Sequence, residues 1–327
     1  MMKKTTSALA VAALLGTGAA TAATFQVNDD TTISIGGGIY YAYVSQTDAN
    51  GDDQTTFGDN GSDVIFSGEH AADNGLTTFF NLDTDGYDAT EANDNSQGEV
   101  VDEASVGVRG GFGEVVVGSN AGVYDQYADF ADGGPIGWTN RTTFSNGDVG
   151  DVVQYSNSVA NIDFTLQAQV GDNAGGESTT SLGGGATANL GGVSLHAAYE
   201  ERANQAADEP IYGLGASTSI AGVSVTAGYE VDDNNDNSID KFSLDGAYAM
   251  GATTLTAGVQ NVSFDTNPTG AEDTVTDTAQ SDDSFTEFQL GVSYALNGQM
   301  SLAAEMVTTD RENDENDFAA VGINYSW

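Results

Sequence analysis

The 327-residue chain has no cysteine, 3 prolines and only 7 lysines and arginines, against 49 aspartates and glutamates. Without thiols there are no disulfide staples, so size, closure or a membrane must stabilise the fold. The shortage of bases, at a formal net charge of −42, excludes nucleic acid as a partner, because phosphate contacts need a basic surface. Histidine occurs only as His70 and His196, and no Ser/His/Asp or metal-ligand spacing connects them. No catalytic residue is therefore assigned and no enzymatic activity is expected. No segment reaches 18 consecutive apolar residues, which excludes a transmembrane helix. Acidic chains poor in aromatics are often disordered. This one keeps 13 Tyr, 14 Phe and 42 Gly, and its aromatics fall at periodic places.

The first 22 residues read as an export signal rather than as part of the fold. Met1-Met2-Lys3-Lys4 is a short basic start, and Ala8 to Leu15 is an apolar stretch too short to span a bilayer. Ala20-Thr21-Ala22 then forms an A-x-A cleavage site, which predicts a signal peptide over 1–22 and a mature domain over 23–327. Removing Lys3 and Lys4 leaves Arg109, Arg141, Arg202, Lys241 and Arg311 as the mature chain's bases.

Alternation dominates the mature chain. Ile33, Ile35, Ile39, Tyr41 and Tyr43 share one parity, with Thr32, Ser34 and Gly36 on the other. Ile162 to Val170, Phe242 to Tyr248 and Phe288 to Tyr294 repeat the pattern, which predicts strands with one apolar and one polar face. The connections take turns between two kinds. Seven are short, such as Gly110 to Gly113, Gly191-Gly192 and Ala221-Gly222; eight are long and acidic, among them Gln46 to Gly61, Ala121 to Asp148, Asp232 to Ser238 and Asp265 to Asp283. Fifteen connections join sixteen antiparallel strands, with both termini on the short-turn side. Short turns at one end, longer loops at the other and an even strand count are the pattern of an all-β transmembrane barrel of the outer membrane.

Periodicity alone does not say which face points inward; the ends and the charges do. Tyr43, Tyr199 and Tyr229 close strands running toward the long loops, whereas Tyr248, Tyr294, Tyr325 and Trp327 close strands running toward the short turns. Two aromatic levels match the girdles at the two membrane interfaces. The polar faces carry Glu103, Asp163, Glu200, Glu230, Asp245, Glu287 and Glu305, which are expected to face the lumen. Phe318 breaks its strand's parity and is expected inside as well. The apolar parity of Val321, Ile323, Tyr325 and Trp327 runs to the last residue, as suits a strand that closes a barrel.

Over essentially the whole mature chain the sequence resembles the Gram-negative general porin family. The resemblance lies in Thr32-Ile-Ser-Ile-Gly-Gly37, in Asn74-Gly-Leu-Thr-Thr-Phe-Phe-Asn-Leu82 and, most specifically, in Ala104 to Gly118 with its Gly-x-Phe-Gly turn followed by Tyr124-Asp125. Trp327, with Tyr325 two residues earlier, resembles the terminal signal read by the outer-membrane assembly machinery. The resemblance implies a homotrimer in outer-membrane lipid. It also implies that the third long loop, 121–148, folds inward as a constriction presenting Asp125, Asp129 and Asp132. Arg141 within that loop, and Arg109 beside a short turn, are the bases that could oppose them. For Arg141 two readings stand open, a salt bridge to the loop's own acids and contact with solute.

The function so implied is passive diffusion of small hydrophilic solutes and ions through a water-filled lumen, with cations favoured by the carboxylates. The alternative is an acidic cell-surface or soluble β-protein of a halophile, because loops such as Glu312 to Asp317 resemble the carboxylate surfaces of proteins from salty habitats. No cofactor is expected. Asp232, Asn234 and Asp236 have the 1-3-5 spacing of a calcium loop, but Asn237 and Ser243 stand where its Gly and bidentate Glu belong. Calcium or magnesium bridging between loops is the remaining metal reading.

Overall fold

The computed structural model describes residues 22–47, 51–84, 101, 103–130, 134–136, 141–144, 148–172, 178–201, 210–234, 237–264, 284–310 and 317–327. The signal segment 1–21, Asp132, Arg202, Asp236 and Arg311 lie outside the described residues. The first strands are β1 (Ala23–Asn28), β2 (Thr31–Thr47), β3 (Asp53–Asp59), β4 (Asp63–Ala71), β5 (Thr77–Thr84) and β6 (Glu103–Gly110). Next come β7 (Gly113–Ala121), a short helix α1 (Val123–Tyr127), β8 (Asp148–Val159), β9 (Ile162–Asp172) and β10 (Ser178–Asn189). The series continues with β11 (Val193–Glu201), β12 (Pro210–Ile220), β13 (Val223–Asn234) and β14 (Asn237–Met250). It ends with β15 (Thr253–Phe264), β16 (Ser284–Ala295), β17 (Met300–Thr309) and β18 (Phe318–Ser326).

Every neighbouring pair is antiparallel, and β18 pairs with β2 to close the ring. The eighteen segments form a closed barrel of 16 strands because two positions are shared. On one side of β2, β18 pairs with Gly38–Gln46 and β1 with Thr31–Ile35, so the two chain ends make one wall position. On its other side, β3 pairs with Tyr41–Thr47 and β4 with Thr31–Gly38. The first handover falls in the glycine run Gly36–Gly38, and the second directly after it, between Gly38 and Tyr41. Gly37 has φ +145 and lies so close to the Asp63 carbonyl that a side chain would collide with it. Trp327 N donates to Gly37 O at 3.1 Å and anchors the terminal strand there.

Two details differ from the sequence expectation. The first long connection, Gln46 to Gly61, contains a strand, β3, that extends the hairpin with β2. The Asp232 to Ser238 connection is also strand on both sides, with Asn234 opposite Asn237. In both places polar, acidic residues hide the strand signal, because neither face needs to be apolar beyond the membrane. The N-terminal strand β1 is a further addition, turned into β2 at Asp29-Asp30.

The packing is that of a soluble protein turned inside out. Leu290 is 56% exposed while its chain neighbour Gln289 is 2% exposed. Phe242, Leu244, Phe288 and Val321 share the outward face, as do Tyr43, Tyr199, Tyr229, Tyr248, Tyr294 and Tyr325. Trp327 packs beside Tyr325, with ring centroids 6.1 Å apart. Such a belt is stable only against lipid, which is the outward polarity of a membrane barrel. The buried apolar residues belong to the inside. Tyr124, Ala128, Phe130 and Phe144 cluster with Ala198, Ile211, Ile239, Val262 and Phe285, and Ile136 clusters with Ala42, Val44, Ala303, Val307, Phe318 and Ala320.

Candidate functional site

The site is the polar face of the wall where the connection between β7 and β8 rests on it. This connection leaves β7 at Ala121, whose N–H is accepted by Glu103 Oε1 at 3.1 Å. Helix α1 comes directly after it. Its N-cap, Gly122, has no side chain to satisfy the first free amides. Glu200 on β11 does so from the wall, accepting from Tyr124 N at 2.8 Å, and its negative charge also suits a helix N-terminus. The Tyr124 hydroxyl donates to Glu230 on β13, and the Tyr127 hydroxyl bonds Thr165 Oγ1 at 2.8 Å. Burial pushes both hydroxyls above the usual tyrosine pKa, and Glu230 adds to the effect at Tyr124.

Past the helix, the described residues touch wall acids again. Ile136 N donates to Glu305 Oε2 at 3.2 Å, and its carbonyl accepts from Asn60 Nδ2 at 2.6 Å. Arg141 is buried, at 2% exposure, and its partners among the described residues lie on the wall. Its Nη1 donates to Asp245 Oδ1 at 2.5 Å and Gln289 Oε1 at 2.7 Å, and its Nη2 to Gln260 Oε1 at 3.0 Å. Thr142 N donates to Glu287 Oε2 at 3.0 Å, and Thr142 O accepts from Gln260 Nε2 at 3.0 Å and Lys241 Nζ at 3.3 Å. Lys241 is fully buried. It pairs with Glu230 Oε1 at 3.0 Å and stands 4.7 Å from the centre of the Phe144 ring.

The structure thus brings six of the seven wall acids, Glu103, Glu200, Glu230, Asp245, Glu287 and Glu305, into contact with one connecting segment. Burial of so many carboxylates is tolerable because each accepts from an amide, a hydroxyl or a base. Asp163 stands apart near the Val159–Ile162 turn, accepting from Ser158 Oγ at 2.5 Å and Asn189 Nδ2 at 3.4 Å. Arg109 also stands apart, beside the turn that leads into β7. It pairs with Glu69 and lies 5.2 Å from the centre of the Phe79 ring. Asp125 lies in the first turn of α1, and Asp129 comes just after the helix. His196 bridges Thr187 Oγ1 at 3.0 Å and Ser217 Oγ at 2.9 Å, with Phe130 edge-on to its ring. Asp232 and Asn234 are strand residues paired with Ile239 and Asn237.

Sequence reasoning assigned no site role to Tyr124, Thr142, Gln260, Gln289 or Lys241. Their one advance signal is parity for the wall residues: Lys241, Gln260 and Gln289 fall on the polar face. Tyr124 was marked only by the family resemblance, and Thr142 had no signal.

A closed barrel with a lipid-facing exterior and a polar interior is the setting in which family comparison becomes decisive. The model of the Gram-negative porin family matches residues 6–314. The chain belongs to that family. A relative, the monosaccharide porin of a Halomonas species, is 26% identical over 365 positions, covering 99% of this chain and 100% of the relative. Among solved structures, an anion-selective porin from Comamonas acidovorans superposes with a TM-score of 0.74 at 14% identity, covering 91% of this chain and all of that one. The trimer form of OmpT, an outer membrane protein of Vibrio cholerae, superposes with a TM-score of 0.66 at 16% identity, covering 91% of this chain and 100% of that one. Porin family and barrel fold together indicate an outer-membrane channel.

Proposed function

We propose that the protein is a trimeric general porin for passive diffusion of small hydrophilic solutes and ions, in which the 121–148 segment narrows the pore and cations are preferred. The observation that carries the reading is the polar inner wall of a closed barrel, with the described parts of that segment bonded along it. No chemistry is required beyond pore width and the sign of the wall charge. Cation preference is supported by the balance of 49 acids against 7 bases, since like-signed carboxylates concentrate counter-ions. Arg109, Arg141 and Lys241 each pair with a carboxylate, so none of these three bases presents a lone positive charge. The trimer form of the Vibrio protein supports the oligomeric state. The test is the reversal potential of the reconstituted protein in a planar bilayer under a potassium chloride gradient. A cation-selective potential is expected; an anion-selective one overturns the preference, and absence of conductance overturns the channel.

The lipid-facing belt weighs against a soluble acidic β-protein, and extraction only with detergent separates the two. Calcium or magnesium bridging of the acidic loops is a further part of the proposal. It predicts that a chelator lowers the thermal stability of the folded trimer.

A further inference from the structure

Below the clamped segment the inner wall changes character. Three successive inward rows cross β16, β17, β18 and β2. The first is Gly291, Glu305, Ala320 and Val44, and it is covered, with Pro135 seated over Gly291 and Ile136 bonded to Glu305. The second is Ser293, Ala303, Gly322 and Ala42, all small. The third, toward the short turns, is Ala295, Ser301, Asn324 and Tyr40. The small second row leaves a recess of about 360 Å³ between the Pro135-Ile136 roof and the Asn297–Gln299 turn. That volume lies within the range of small-molecule sites, about 300–1,000 Å³.

The lining has two properties that matter for a ligand. Among the described residues it contains no charged side chain, in a chain of net charge −42. Its polar groups also have bonding capacity left over. The side chains of Ser293, Gln299, Ser301 and Asn324, and the Tyr40 hydroxyl, make no hydrogen bond to another described residue. Elsewhere on this wall the amides are tied up, as Gln154, Gln167, Gln260 and Gln289 are. Amides and hydroxyls both donate and accept, which matches a ligand whose own groups do both. Tyr40, Ile136 and Met300 add apolar surface for the C–H face of such a ligand. An ion gains no counter-charge here and would lose part of its hydration.

We infer that this recess is a binding subsite for a neutral polyhydroxylated solute of monosaccharide size. The inference rests on the porin reading and deepens it, placing a weak saturable step inside an otherwise diffusive channel.

The experiment is single-channel recording in potassium chloride with D-glucose added, on wild type and on Asn324→Ala/Ser301→Ala. Wild-type conductance should fall saturably with D-glucose in the millimolar range. The double variant should keep its sugar-free conductance and raise the half-saturating concentration about ten-fold. A wild-type response that is only linear in sugar concentration, or a variant that saturates as wild type does, overturns the subsite while leaving the channel intact. Absence of any conductance overturns the porin reading instead. Should the double variant fail to assemble, judged by heat-modifiable migration, Tyr40→Phe with the same recording takes its place.

Discussion

Two stretches of the same inner wall behave differently. Beneath the β7–β8 connection, acids on β6, β11, β13, β14, β16 and β17 each accept from a group of that connection. Closer to the short turns, Asp163 and the neutral Ser301–Asn324–Tyr40 row make no hydrogen bond to the described residues of that segment. Both stretches are polar, inward and of one parity, and nothing in the strands themselves separates them. The difference teaches that a wall carboxylate acquires its role from what lies against it: under the described parts of the segment it is a clamp, and away from them a residue of the polar wall.

The comparison breaks most sharply at Arg141. Replacing it with alanine leaves Asp245 buried without its cation and two glutamine carbonyls without their donor. The expected loss of segment docking is about 3–5 kcal/mol. It should appear as a larger, noisier single-channel conductance. Next comes the Lys241–Glu230 pair, both partners fully buried. Lys241→Met alone should cost roughly 3 kcal/mol because it strands a charge. The double variant Lys241→Met/Glu230→Gln should recover most of that, since the glutamine still accepts from Tyr124; thermal unfolding of the two variants checks the order.

A smaller effect is expected at Tyr124. Its folded-state pKa lies above the ordinary value of 10.0, so the docked segment favours the protonated hydroxyl. The contribution is fully present below that value and is lost as pH rises beyond it, where the undocked tyrosine ionises and the docked one does not. Conductance should therefore loosen above the ordinary tyrosine value in wild type and less so in Tyr124→Phe. Smallest of all, Asp163→Asn should change stability by less than about 0.5 kcal/mol and leave segment docking untouched, since it removes no clamp.

Much of the barrel was legible in the sequence because period two is a local property. Sixteen wall positions, two connection lengths and two aromatic levels all derive from residues within one hairpin of each other. The shared positions escaped, since β1 is only six residues long and gains its meaning from lying in line with β18. The site was legible only by face. Parity put Glu200, Glu230 and Glu305 on the polar side, but their partners lie 76, 106 and 169 residues away in the chain. Arg141 illustrates the limit. The sequence left it between the acids of its own segment and the solute, and among the described residues its ion-pair partner is Asp245, 104 residues distant. Arg109, grouped with it as a base, is held by Glu69 beside a turn because its strand ends there.

The most direct test of a segment clamped along the inner wall uses the absence of native cysteine. A side chain at Gly213 on β12 would bring its Cβ within 2.8 Å of the Ala128 Cβ, so a shift of about 1 Å between segment and wall brings the pair to the roughly 3.5–4.5 Å of a disulfide. The variant Ala128→Cys/Gly213→Cys should form that bond in the oxidised, folded barrel and conduct as wild type does. Failure to cross-link, or a conductance that drops on oxidation and recovers on reduction, would contradict the clamped segment.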